Sequence, residues 1–136
     1  MVPTVRPAAA SDGIDPQCLD GRVVCIDKTT HTLRWIVDGE TRMTMPVRFG
    51  PDRKPTREGA FSIQWKDAEH VSSLTHEPMP WSMFFSGGEA IHYSPDFAEN
   101  GYDGASSGCV DTADEHATED LYNATDVGDT VIVYRS

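Results

Sequence analysis

The sequence predicts a mainly β domain with one substantial helix towards its C-terminal end. Two runs in which apolar and polar residues alternate, two hairpin-type turn signals and one segment with helical spacing behind an acidic first turn carry that prediction. At 136 residues the chain has room for one domain with its own core and not for two ordinary ones.

Residues 1 to 17 hold three prolines, an Ala run and no hydrophobic period, which reads as a disordered tail or linker remnant ahead of a domain over residues 18–136. Strand character then follows over residues 22–26, 32–37, 41–48, 60–65, 81–85, 89–92 and 130–134. Met43, Met45 and Val47 alternate with their neighbours, as do Phe61, Ile63 and Trp65, so each run places one face on a core. Asp38-Gly39 supplies a hairpin turn and Ser86-Gly87-Gly88-Glu89 a second, which implies sequential antiparallel strands. Thr112 to Glu115 matches a capping box, and Ala117, Leu121 and Ala124 follow at helical spacing. The last strand, with Val131, Ile132, Val133 and Tyr134, is too apolar for an open edge.

The formal charge of -11, from 22 acidic and 11 basic residues, opposes binding to nucleic acid, whose affinity comes from Lys and Arg neutralising phosphates. No run approaches the roughly 20 apolar residues of a membrane helix, and the first residues lack the apolar centre of a signal peptide. The chain as given reads as soluble, without a membrane span, and is expected to be a monomer. A trimmed extracytoplasmic protein has the same appearance.

Of the three cysteines, Cys18 and Cys25 flank the turn-like Leu19-Asp20-Gly21 and either close a small loop in an oxidising compartment or stay reduced as structural thiols. His31, His70, His76 and His116 have no Cys or His partner at metal-ligand spacing, so no metal is expected. Arg48, Arg53, Lys54 and Arg57 form the one basic cluster, which is either a solvated loop or a rim for carboxylates. Trp65, Trp81, Phe84 and Phe85 read as core or cleft wall.

Cys109 is either the candidate nucleophile or a buried structural thiol. It precedes the predicted helix, where unpaired N–H groups and the positive helix end favour a thiolate. Ser106, Ser107 and Gly108 before it permit the tight turn and close backbone approach that a main-chain oxyanion site needs. His92, at the end of a predicted strand and joined to Cys109 by a glycine-containing loop, is the candidate base.

These residues resemble the L,D-transpeptidase (YkuD-like) family, whose signature is a histidine, a variable loop, then Ser/Thr-His-Gly-Cys, an apolar residue and usually Asn. The chain has Ile91-His92, thirteen residues, then Ser106-Ser107-Gly108-Cys109-Val110-Asp111. Pro55-Thr56-Arg57-Glu58-Gly59-Ala60-Phe61 resembles the family's Pro-Thr-Pro-x-Gly-x-Phe segment, and Pro80-Trp81-Ser82-Met83-Phe84-Phe85 its strand before the histidine. The resemblance implies a β-sandwich or barrel-like catalytic domain with one substantial helix after the nucleophile, and no cofactor. It implies Cys109 as nucleophile, His92 as base, the N–H groups of Gly108 and Cys109 as oxyanion donors, and the Tyr93 carbonyl as the group that orients the ring. Substrate contacts would come from Ser106, Ser107, Trp81 and Asp111.

The implied reaction is acyl transfer on peptidoglycan stem peptides through a thioester on Cys109, resolved by an amine, in an extracytoplasmic, cell-wall setting. Susceptibility to carbapenem acylation goes with it. The chain departs from the signature where Ser107 replaces the second histidine and Asp111 the asparagine. Serine supplies no imidazole, and a carboxylate near the thiol opposes its ionisation, so both departures predict lower reactivity. The rival readings are a homologue that binds stem peptides without turnover and an L,D-carboxypeptidase with water as acceptor.

Overall fold

The computed structural model describes residues 13–51, 55–73, 76–103 and 108–136. Among them the chain forms strands β1 (Arg22–Asp27), β2 (Thr32–Val37), β3 (Glu40–Arg48), β4 (Gly59–Ser62), β5 (Trp65–Val71), β6 (Pro78–Ser86), β7 (Glu89–Tyr93), β8 (Val110–Thr112) and β9 (Thr130–Tyr134). Helices α1 (Pro95–Asn100) and α2 (Glu115–Ala124) flank β8 in sequence. The domain is mainly β with one main helix, as the sequence predicts.

Local chemistry accounts for the hairpins. Asp38 and Gly39 both have positive φ, 50° and 82°, the twist-compatible turn that joins β2 antiparallel to β3. β6 and β7 pair antiparallel across the Gly87-Gly88 turn. Two pairings are parallel instead, β1 with β9 and β7 with β8, and they give the sheet its order β4-β9-β1-β2-β3-β8-β7-β6-β5.

The ends of that order, β4 and β5, are separated in the chain by Ile63 and Gln64 alone. The Ile63 N–H donates to the Asp129 carbonyl at 2.9 Å and the Gln64 N–H to the Phe84 carbonyl at 2.7 Å, so this link stitches one edge to the other and the sheet curls into a half-barrel. The expected strand over 60–65 is therefore two strands with a break. Ile63 turns into the core at 1% exposure, while Trp65 is 43% exposed and stacks on Phe84 with ring centroids 3.9 Å apart.

Inside the curl lie Val24, Ile26, Leu33, Trp35, Val47 and Phe85, with Leu121 of α2 inserted among them. Burial of such side chains is the main stabilising term. The other face of β1, carrying Val23 and Cys25, is covered as well: Cys18, Ile36 and Ile132 pack there, and a Cys18–Cys25 disulfide pins the turn Pro16–Leu19 over it. The interior position of β9 between β4 and β1 accounts for its apolar sequence.

The helix starts later than its sequence suggests. Asp114 is the N-cap, its carboxylate accepting the Ala117 N–H at 3.0 Å, whereas Thr112 is the last residue of β8 and its hydroxyl bonds the Thr118 hydroxyl. Parallel pairing of Tyr93 with Thr112 keeps residues 110–112 extended, so the Thr112 capping box does not form. Among the described residues no helix is long and apolar enough to cross a membrane.

Candidate active site

Strand register builds the site. β8 lies between β3 and β7, pairing Asp111 with Arg48 on one side and with His92 on the other. One rung of the sheet thus carries three ionisable side chains side by side, and Cys109 stands just before it. Cys109 packs against Met79, Phe84 and Ala90, and its thiol lies 3.9 Å from the Gly88 carbonyl.

Cys109 is consequently not at a helix entrance, because β8 intervenes before α2 begins at Glu115. A helix start directly after Cys109, as the sequence suggests, is not present to favour a thiolate. What faces the thiol is His92. The Nδ1–H of His92 donates to the Tyr93 carbonyl at 2.8 Å, which fixes the ring; Nε2 meets Asp111 Oδ1 at 3.1 Å, and the ring also hydrogen-bonds Cys109. Burial acts to lower the basicity of His92, but the hydrogen bonds with Asp111 and Cys109 and their charges outweigh it and push its pKa up to about 10.

The family resemblance expects Asp111 among substrate contacts; the structure buries it instead, with Oδ1 against His92 Nε2. Its side chain is 3% exposed and that of Arg48 is 5% exposed. Arg48 Nε and Nη2 both donate to Asp111 Oδ2, at 3.0 and 2.8 Å. Arg48 Nη1 reaches the Gly101 carbonyl and Asp96 Oδ2, each at 2.9 Å, and the guanidinium lies over the Phe97 ring. Asn100 and Arg48 together hold the Asp96 carboxyl below its usual range.

Gly108 has φ of +97°, which favours glycine, and a Cβ there would stand 3.0 Å from Glu89 Oε2, so the carboxylate end of Glu89 would have to give. The buried Thr56 hydroxyl donates to the Gly108 carbonyl at 2.8 Å and approaches the Cys109 carbonyl at 3.3 Å, which orients the peptide groups ahead of the thiol. Glu89 accepts the Arg57 N–H at 3.2 Å, and burial pushes its carboxyl above the usual range.

The structure therefore brings together Cys109, His92, Tyr93, Gly108 and Asp111. Trp81 is elsewhere: at a positive φ of 60°, it directs its indole N–H towards Glu115 and its ring edge towards Tyr122. The groove it lines, with Val71, Pro78, Pro80 and Glu115, includes neither Cys109 nor His92. Ser106 and Ser107 lie outside the described residues, as do Arg53 and Lys54. Of the basic cluster, Arg48 is neither a loop nor a rim residue but a buried one, and Arg57 is exposed beside Glu89. Thr56 and Glu89 are site residues that spacing did not find, the Pro55-Thr56 segment being the one signal for Thr56, and Arg48 appeared only as a member of the basic cluster. Among the described residues no group of three or more His, Cys, Asp or Glu has the arrangement to hold a metal ion.

A thiol and a buried, carbonyl-anchored imidazole on a curled sheet are the parts that cysteine-based acyl transfer uses. The model of the L,D-transpeptidase catalytic domain, YkuD, matches residues 21–133. The chain belongs to that family. Among solved structures it is similar to the L,D-transpeptidase from Stackebrandtia nassauensis, at 32% identity over 85% of this chain and 57% of that one, with a TM-score of 0.76. The L,D-transpeptidase from Xylanimonas cellulosilytica matches at 27% identity over 98% of this chain and 71% of that one, TM-score 0.76. L,D-transpeptidase 3 from Mycobacterium tuberculosis, solved in complex with a faropenem-derived adduct, shares the fold at 21% identity over 85% and 60% of the two chains, TM-score 0.73. The chain spans little more than half the length of the first of these. No curated protein matches the sequence.

Proposed function

We propose that this domain is an L,D-transpeptidase that cross-links peptidoglycan stem peptides outside the cytoplasm, with Cys109 as nucleophile. The observation that carries the proposal is the contact of Cys109 with a histidine whose Nδ1–H is fixed by the Tyr93 carbonyl, on a domain of this family.

The pKa of His92, pushed up to about 10, marks it as a strong base beside the sulfur, and in this mechanism it takes the proton of the Cys109 S–H as the thiol becomes nucleophilic. The sulfur attacks the carbonyl before the terminal D-residue of a stem peptide, and the N–H groups of Gly108 and Cys109 receive the oxyanion. On collapse the C–N bond breaks, His92 delivers its proton to the departing amine of D-alanine, and a thioester remains on Cys109. An amine on a neighbouring stem then attacks the thioester, His92 takes up its proton, and the sulfur leaves as thiolate. Bond making and breaking balance without a cofactor. Ser106 and Ser107 are the substrate contacts this reading retains.

Because His92 stands beside the sulfur as its base, a carbapenem, whose strained amide needs only attack by sulfur, is expected to acylate Cys109. Intact mass after incubation with imipenem tests this: the expected result is one adduct on the wild-type protein and none on Cys109→Ala. A wild-type protein that gains no mass would sink the assignment. In turnover assays, diversion of the product by an added amine separates the transpeptidase from a carboxypeptidase that uses water.

A further inference from the structure

We propose that Asp111 and Arg48 are positioning residues for the Cys109–His92 pair, the carboxylate locked in the guanidinium fork fixing the Nε2 side of the His92 ring beside the thiol. The proposal rests on the reading of Cys109 as nucleophile and adds to it two residues that touch no substrate.

The geometry leaves the carboxylate no alternative. Oδ2 accepts two bonds from Arg48, at 3.0 and 2.8 Å, and Oδ1 faces His92 Nε2 at 3.1 Å. Arg48 is held in turn by the Gly101 carbonyl and Asp96, so the fork cannot swing away. All three side chains issue from one rung of β3, β8 and β7, where backbone pairing rather than side-chain flexibility sets their spacing. The charged and titratable groups facing the ring are Asp111 from β8 and Cys109 before it; those facing Arg48 are Asp111 and, from α1, Asp96.

An asparagine at position 111 could not serve here. It carries no charge, and one end of its amide is a donor, which would face either Arg48 or a protonated His92, both of them donors. A buried arginine and an acceptor-only carboxylate at 111 form a matched pair, and the departure of this chain from the family signature at Asp111 is thereby explained together with the burial of Arg48. The negative charge that the sequence alone placed against the thiol is spent on Arg48 and His92 instead.

The test is Asp111→Asn, read by NMR titration of the His92 ring and by the pH dependence of Cys109 alkylation with iodoacetamide, with the Cys18–Cys25 disulfide kept oxidised. In the wild type the ring is expected to titrate near about 10. In the variant it should fall by at least two units, roughly a hundredfold in the proton equilibrium, and alkylation at pH 7 should slow about tenfold or more while recovering at high pH. A role confined to packing would not move that profile. Arg48→Lys, which keeps the charge and loses the fork, should fall between the two. A folded Asp111→Asn protein with the wild-type ring titration and alkylation profile overturns the proposal. So does a wild-type His92 that titrates near its ordinary 6.5, a result that needs no variant to fold. Neither readout uses a cell-wall substrate, so a protein that fails to take up imipenem yet shows both shifts loses the proposed activity and keeps this pair.

Discussion

On the flank formed by β9, β1 and β2 the sheet is buried on both faces by Val, Ile, Trp and a disulfide, whereas across β3, β8 and β7 the same depth is filled in part by Arg48, Asp111 and His92. The first flank draws its stability from apolar area, which is additive and indifferent to direction, at roughly 25 cal/mol per Å². The second depends on each charge finding its partner, because an ion taken out of water and left alone is heavily penalised. One flank supports the domain and the other sets a protonation state.

The contrast can be broken most sharply at Arg48. Arg48→Met leaves Asp111 buried without its fork and is expected to lower stability by about 3–5 kcal/mol, measured as a shift in the urea midpoint. Arg48→Met combined with Asp111→Leu should recover most of that loss, since an apolar pair of similar volume replaces the ions, and should at the same time abolish the raised titration of His92. If the double variant stays as unstable as the single one, the charges were not the cause.

A smaller effect separates the flanks by pH. The folded pKa of His92, about 10, stands above its ordinary 6.5, so the stability it contributes is complete below about pH 6.5 and is lost as pH rises through about 10. Thermal unfolding of the wild type should therefore weaken over that window, and His92→Gln should flatten the dependence. Removing the disulfide by Cys18→Ser is expected to lower stability by about 2 kcal/mol, the figure for a loop this short. That loss belongs to the apolar flank and should stay constant over the same pH range. The smallest effect expected is at the N-cap of α2, where Asp114→Ala should destabilise by about 1 kcal/mol in a thermal melt and leave the His92 titration unmoved.

Local pattern made much of the fold legible. The Asp38-Gly39 and Gly87-Gly88 turns, the alternation of Met43, Met45 and Val47, and the buried terminal strand are all properties of a few adjacent residues, and the structure contains each of them. His92 and Cys109 stood out because thiol and imidazole chemistry is confined to few residue types. What stayed hidden was pairing over distance. Arg48 and Asp111 are 63 residues apart, and no spacing rule tells that β8 inserts between β3 and β7. β8 itself is a three-residue strand held by its neighbours, too short to show a period, and misreading it as the approach to a helix produced the wrong account of what surrounds the thiol. Phe61, Ile63 and Trp65 alternate as one strand does, but the sheet's curl breaks them at Gln64.

The position of β9 governs how the chain can fold as it is made. β9 is the last strand in sequence and lies between β1 and β4, where Val24 pairs with Val131 and Phe61 pairs with the same residue from the other side. Until residues 130–134 have emerged, β1 and β4 each lack a neighbour, and the apolar edge of β1 stands open. Completion of the sheet therefore waits for residues 130–134, and pairings of such long sequence separation form slowly.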